Sequence, residues 1–263
     1  MSCYTGISAG SYYSLALLKD GRVTGWGDNS DGQNTIPVGI GNNAVGVSAG
    51  VQHSLALLKD GRVTGWGDND FGQTTIPVGI GNNAVGVAAG FDHSLALLKD
   101  GSIVGWGRNV EGQTNIPVGI GNNAVGVSAG SYHSLALLKD GRVVGWGRNV
   151  EGQTNIPVGI GNNAVGVSAG SYHSLALLKD GRVTGWGYNN HGQTTIPVGI
   201  GNNATGVAAG GYRSLALLKD GRVVGWGDSA FGQTTIPVGI GNNAVGVSAG
   251  QFHSLALLKD GSI

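Results

Sequence analysis

The octapeptide SLALLKDG begins at Ser14, Ser54, Ser94, Ser134, Ser174, Ser214 and Ser254, a spacing of 40 residues every time. A chain that copies itself at this period is built from units that stack on one another, because one unit alone cannot bury its apolar face. The remainder of the unit keeps the same period. GWG is centred on Trp26, Trp66, Trp106, Trp146, Trp186 and Trp226, and each is followed by IPVGIGNNA. The expectation is a single domain over 1–263, with repeats at about 1–40, 41–80, 81–120, 121–160, 161–200 and 201–240 and a partial one at 241–263.

Each unit reads as four short strands. In the second unit these are A (Val45–Gly50), B (Ser54–Leu58), C (Arg62–Gly67) and D (Thr74–Val78). KDG between B and C carries the Asp-Gly signature of a tight hairpin, and GDNDFGQ between C and D is a cluster of turn formers. No segment has the period of a helix. Strands A and B are small or apolar on both faces, so each sheet must lie between two others. Strand A has the smallest residues, which suits a crowded central axis. Pro77 and its equivalents place D at the outer edge, because proline cannot donate to a ladder. Small sheets arranged radially make a β-propeller. The fold expected is therefore all-β, a propeller of four-stranded antiparallel blades, with each GWG tryptophan wedged between neighbouring blades.

Composition removes the competing classes. Glycine is 52 of 263 residues but has no Gly-X-Y register, which excludes collagen. A hydrophobic share of 40% excludes a disordered chain. Cys3 is the only cysteine, so neither an intrachain disulfide nor a cysteine-based zinc site can form. The opening MSCYTGISAG lacks the basic-then-apolar order of a signal peptide. The chain is expected to be cytoplasmic as written, or secreted with a leader removed. No run is long enough for a membrane helix.

The motif AGxxHSLAL…DGxVxGWGxNxxGQ resembles the regulator-of-chromosome-condensation repeat. It differs from a WD repeat because every tryptophan is followed by Gly and never by Asp. Within that superfamily it looks most like the short-repeat, seven-bladed β-lactamase-inhibitory proteins of the second type, which share HSLAL, DG, WG, GQTT and P in a unit of similar length. The resemblance implies a propeller whose A–B and C–D turns contact a protein, and inhibition of a secreted enzyme such as a β-lactamase is one version of it. The order of half-units departs from that pattern. Residues 24–263 are six C-D-A-B units behind an initial A-B. Seven A-B pairs can close a seven-bladed ring whose last blade lacks C and D, which is the favoured count. Six blades with a surplus A-B pair is the alternative. Either arrangement leaves a strand edge near Ser254–Leu258, which invites a homodimer.

Differences between the units fall at one end of the sheets. In an antiparallel meander the A–B and C–D turns emerge together, and the B–C turn and D–A loop emerge opposite. KDG and GIGNNA hardly vary, whereas the A–B turns read YY, QH, DH, YH, YH, YR and FH, and the C–D turns read DNSD, DNDF, RNVE, RNVE, YNNH and DSAF. Turns tolerate drift, but the invariant turns are equally exposed, so the variable end is read as a binding face. Its candidate residues are Tyr12, Phe91, Tyr132, Tyr172, Tyr212 and Phe252 from A–B turns and Asp70, Phe71, Tyr188 and Phe231 from C–D turns, with the acid Asp92 beside them. Aromatics next to acids are typical interface anchors. The resemblance singles out Tyr132, Tyr172, Tyr212, Asp70, Phe71 and Phe231. The face lacks Trp, a favoured anchor, which counts against tight enzyme inhibition.

Eight acids and three arginines give the variable face a net charge of −5, and seven Lys and five Arg against seven Asp give the other end +5. The expected partner is a protein, preferably basic, and not a nucleic acid or a membrane. No catalytic, metal or cofactor site is expected. His53, His93, His133, His173 and His253 recur one per unit and so cannot converge, which makes them structural hydrogen-bonders at the A–B corner. Glu111 and Glu151 lie one unit apart, too far for an acid/base pair. DNSDG lacks the ligand alternation of a calcium loop. Asn69 and Gln73 are read as satisfying turn backbone. Two other readings stand beside protein binding: a multivalent lectin-like carbohydrate binder, and an engineered or recently amplified repeat protein with no ligand.

Overall fold

A computed structural model describes residues 3–263. Six blades are three-stranded antiparallel sheets, and a partial seventh has two strands. The first blade is β1 (Tyr4–Ala9), β2 (Tyr13–Leu18) and β3 (Val23–Gly27). The second is β4 (Ala44–Ala49), β5 (His53–Leu58) and β6 (Val63–Gly67), and the third β7 (Ala84–Ala89), β8 (His93–Leu98) and β9 (Ile103–Gly107). The fourth is β10 (Ala124–Ala129), β11 (His133–Leu138) and β12 (Val143–Gly147), and the fifth β13 (Ala164–Ala169), β14 (His173–Leu178) and β15 (Val183–Gly187). The sixth is β16 (Ala204–Ala209), β17 (Arg213–Leu218) and β18 (Val223–Gly227), and the partial seventh β19 (Ala244–Ala249) and β20 (Ser254–Leu258).

The expected fourth strand is not one. In every complete unit the D segment runs as turns into a short 3-10 turn, such as Val78–Ile80, and it joins no sheet. Pro77 holds φ at −60° and has no N–H to give a ladder. The segment works as a plug instead. Ile40, Ile80, Ile120, Ile160 and Ile200 are fully buried between blades, while Val38 and its equivalents project into solvent.

Successive blades pack through repeated apolar clusters. Leu15, Leu17, Val23 and Ile40 of the first blade meet Ala44, Ala56, Leu58 and Trp66 of the second. The tryptophan is a seam wedge, as expected, and its indole N–H also donates to the preceding blade: Trp66 Nε1 lies 2.9 Å from the Gln33 carbonyl. Near the axis the backbones almost touch. A Cβ on Gly130 would sit 2.3 Å from the Gly170 carbonyl oxygen, so only glycine fits.

One residue per blade clasps the next. Nε2 of His53, His93, His133 and His173 lies 2.9–3.0 Å from the hydroxyl of Ser94, Ser134, Ser174 and Ser214. Each serine gives its own proton to a glutamine carbonyl, as Ser94 does to Gln73 at 2.9 Å. Nε2 must therefore carry the ring proton and donate it. Burial pushes these four imidazoles down, His53 to about 4 and His93, His133 and His173 to about 3. They are neutral at physiological pH. Tyr13 and Arg213 occupy the same slot and make the same bond, Tyr13 to Ser54 at 2.8 Å and Arg213 to Ser254 at 3.0 Å. His253 reaches back to Ser14 of the first blade at 2.7 Å. The Gln251 N–H donates to the Gly10 carbonyl at 3.0 Å, which also joins the partial blade to the first.

A second bond crosses most seams at the axis. The Ser8 hydroxyl accepts from the Ala49 N–H, and Ser48, Ser128, Ser168 and Ser248 do the same for Ala89, Ala169, Ala209 and Ala9, all at 2.9–3.0 Å. Ala88 and Ala208 interrupt the series. The alanines across from them, Ala129 and Ala249, are half-buried where their equivalents are buried.

Candidate binding face

The backbone ties the two variable turns of each blade together. The N–H of Asp28, Asp68, Arg108, Arg148, Tyr188 and Asp228 donates to the carbonyl of Tyr12, Gln52, Asp92, Tyr132, Tyr172 and Tyr212. At the other end the Ala44 N–H donates to the Gly21 carbonyl, and Lys59 Nζ reaches the Asn42 carbonyl at 2.9 Å. The variable loops share one end and the uniform loops the other, as the meander argument required.

Most of the aromatic candidates converge. Phe91 stacks on Tyr132 at 5.3 Å between ring centroids, Tyr132 leans on Tyr172 at 6.3 Å, and Tyr172 stacks on Tyr212 at 5.8 Å. Tyr188 enters from a C–D turn, 6.3 Å from Tyr172 and 5.8 Å from Tyr212. The result is an arc of half-buried rings over the third to sixth blades. Burial raises the phenols of Tyr132 and Tyr212, which keeps them neutral donors. Tyr12 and Phe252 form a separate stacked pair at 4.6 Å, over the seam between the partial blade and the first. Phe71 lies under the Arg108 guanidinium at 5.0 Å, and Phe231 stands alone, 81% exposed.

Three residues of the variable turns serve other roles. Asp92 is 4% exposed and is held by Arg108 at 3.2 Å, so it is a buried turn partner and not an accessible acid. Burial raises its carboxyl against the opposing pull of Arg108. Arg213 is buried in the clasp slot, donating to Ser254 and to the carbonyls of Gln251 and His253. Burial lowers its guanidinium to about 10. Tyr13 is equally buried, and burial raises its phenol. Both belong to the fold because the slot needs a donor long enough to cross the seam. Asp70 keeps an exposed carboxylate.

The buried acids and arginines also change the electrostatics. Glu111 pairs with Arg148 at 3.5 Å, so the free acids of the face are clustered near the first, second and sixth blades and on Glu151. At the opposite end each KDGR hairpin closes on itself, Arg62 to Asp60 at 2.7 Å for example, and those bonds hold the aspartates below their usual range. In the turns, Gln73 accepts from the Phe71 N–H and donates to Asp68, and Asn69 accepts from the Thr74 N–H. Among the described residues no three His, Cys, Asp or Glu side chains gather as a metal site would require.

His191 was not among the candidates, yet it lies 5.1 Å from Tyr212 and 6.1 Å from Tyr188 and extends the arc. A signal was available in the sequence. Position 191 is one period from Phe231 and three from Phe71, both of which were singled out.

Radial three-stranded blades with a 40-residue period, clasped by a His–Ser–Gln relay and wedged by GWG, define a class of repeat propeller. Residues 4–33, 44–73, 84–113, 124–153, 164–193 and 204–233 match the regulator of chromosome condensation (RCC1) repeat, and the chain belongs to that family. Among solved structures it is similar to human WBSCR16, with a TM-score of 0.81 and 20% identity over 98% of this chain and 88% of that one. It is also similar to Prp20p from Saccharomyces cerevisiae, with a TM-score of 0.80 and 21% identity over 96% and 82%. The ectodomain of the Arabidopsis thaliana receptor kinase ACR4 gives 0.71 and 22% over 100% and 96%. At these identities the likeness is one of fold. No curated protein sequence matches the chain.

Proposed function

We propose that the chain is a non-catalytic, seven-bladed scaffold, a single domain over 1–263, that binds a protein through the end carrying the A–B and C–D turns. The observation that carries this reading is the continuous arc from Phe91 through Tyr132 and Tyr172 to Tyr212, joined by Tyr188. Rings anchored on a rigid sheet lose little conformational entropy on contact, and half-buried rings still offer apolar edge and a phenolic donor. Seven clasp bonds, including the one from His253 to Ser14, support the count of seven blades. One fold relative points the same way: Prp20p, yeast RCC1, is described with binding properties to Gsp1p and histones, and in a second structure with Kap60 bound. Inhibition of a secreted enzyme such as a β-lactamase is a narrower version of the reading, supported by the motif resemblance. A basic partner is favoured by the exposed acids Asp31, Asp70 and Glu151.

The arc argues against the carbohydrate reading. A sugar site per blade needs an open ring face in every blade, and here most of the rings are covered, by one another or, for Phe71, by Arg108. The test is a panel of class A β-lactamases and basic proteins, run beside a glycan array, with the wild type and the Tyr132→Ala/Tyr172→Ala/Tyr212→Ala variant. A protein on the panel should bind the wild type and lose at least about 30-fold in affinity for the variant, since anchor residues of this kind contribute roughly 2 kcal/mol or more each. Equal binding to both would remove the face from consideration. Glycan binding abolished by the variant would favour the lectin reading instead.

A further inference from the structure

Five seams of the molecule are complete, and each seats the same half-repeat. The tryptophan and serine of one blade both donate to the glutamine carbonyl of the blade before it. Trp66 and Ser54 do so on Gln33, and Trp226 and Ser214 on Gln193. Among the described residues the partial seventh blade has no third strand, and both of its flanks are left incomplete. On one side, the Gln233 carbonyl accepts from Ser254 but meets no indole among the described residues. Gln233 and Ile240 are half-exposed where Gln33 and Ile40 are fully buried. On the other side, the Trp26 indole meets no carbonyl among the described residues, and it is 42% exposed against 6–7% for the other five tryptophans. Between the flanks, β20 is partly exposed along almost its whole length. A cleft of about 390 Å³ lies beside it, lined by Ser14, Trp26, Gly27, Phe252 and His253 among others.

We propose that this cleft and the free edge of β20 form an acceptor site for an extended segment of a separate polypeptide. The equivalent seams specify its chemistry. It carries an apolar strand ending in Gly-Trp-Gly, then a turn that closes on Gln, then an Ile. The strand adds to β20 as β18 adds to β17. Its indole N–H donates to the Gln233 carbonyl, and its glutamine carbonyl accepts from Trp26 and Ser14. Its isoleucine fills the hollow beside Trp26, as Ile40 packs with Trp66 in the same cluster. This is β-strand addition with a side-chain code, in which main-chain bonds supply affinity and the pockets supply specificity. A second copy of the chain is a poor occupant. It can offer only its own β20, whose SLALL carries neither the indole nor the glutamine, and its other third strands are already paired.

The site does not include the arc from Phe91 to Tyr212, so it stands or falls independently of the proposed function. The experiment titrates the full chain with a synthetic peptide of the sequence Val104–Ile120, VGWGRNVEGQTNIPVGI, by calorimetry, with hydrogen exchange as a second readout. One-to-one binding, a raised unfolding midpoint and new amide protection across Ser254–Leu258 are expected, with no response to a scrambled peptide. Trp26→Phe keeps the ring but removes the indole donor, and should weaken binding about fivefold, the loss of one ordinary hydrogen bond. The proposal is overturned if matched and scrambled peptides behave alike. It is also overturned if β20 amides are already protected in a homodimer that the peptide does not dissociate.

Discussion

Acid should unfold this protein well above the pH at which its carboxylates titrate, and four histidines set the amount. His53, His93, His133 and His173 are buried and neutral, with folded values of about 4 for the first and about 3 for the others. An unfolded-chain histidine has a value near ~6.5. The unfolded state therefore binds more protons than the native state below about pH 6.5, and stability falls as pH falls. The contribution is complete above the unfolded value and is lost progressively down to the folded one. At pH 5 each unfolded histidine is about 97% protonated while its native counterpart is largely neutral, a difference of roughly 2 kcal/mol per site by linkage. Four sites give about 8 kcal/mol, a large share of the 5–15 kcal/mol typical of a folded domain. His253 is also lowered by burial and by Arg213, and acts in the same direction. The aspartates held low by their hairpin bonds lose their contribution only as pH falls below the unfolded carboxylate value, and Asp92, raised by burial, acts in the opposite direction, so the loss toward pH 5 comes from the histidines. The assay is urea unfolding at intervals from pH 7.5 to pH 5. A limiting slope near four protons is expected, about 5 kcal/mol per pH unit. His133→Gln should reduce the slope by about one proton while retaining a donor for Ser174. A stability that does not change over this range, or a slope untouched by His133→Gln, would refute the clasp as described.

Ala88→Ser and Ala208→Ser should each supply the hydroxyl acceptor that two seams lack, contributing about 1 kcal/mol and raising the thermal midpoint by about 2–4 °C, read by calorimetry. A lower midpoint would show that these seams are closed in another way. Trp226→Phe removes a buried donor from the Gln193 carbonyl and should destabilise by about 1–3 kcal/mol, whereas Trp26→Phe in the isolated chain should change stability by less than about 0.5 kcal/mol. Equal losses by denaturant titration would contradict the open seam. Arg213→Ala should loosen the partial blade selectively, with faster hydrogen exchange across β19 and β20 than across β4 and β5, because it deletes donors to two carbonyls and a hydroxyl of that blade.

The period, the all-β class and the sorting of turns between two ends were legible because each depends on spacing alone. The tryptophan wedge was legible too, since GWG leaves room for an indole beside a bare backbone. The fourth strand was misread because TTIPV is apolar and β-branched, and those properties serve a plug as well as a ladder. Only the missing proline donor separates the two. Tyr13 and Arg213 stand among the variable turn letters YY and YR, yet both belong to the clasp. What the slot requires is a donor of sufficient reach, and Tyr, His and Arg all meet that requirement, so the letters vary while the bond does not. Asp92 looked like its exposed neighbours, and its burial depends on Arg108, sixteen positions away across two turns. The open groove of the seventh blade could be suspected from the order of half-units, but its specificity emerged only when the other seams displayed what they hold.

The clasp runs between residues about one period apart, as from His133 to Ser174, and uses the same few groups at every junction. Any unit can therefore follow any other without refitting. Unequal exchange between gene copies could then revise the variable end in whole blocks of forty residues, with each junction still clasped in the same way. Circularity sets the limit. A block gained has to be matched by a block lost if the last blade is still to meet the first, as the Gln251 N–H meets the Gly10 carbonyl. Diversity in such a molecule comes by substitution of modules at constant number, and its variable end should change in jumps.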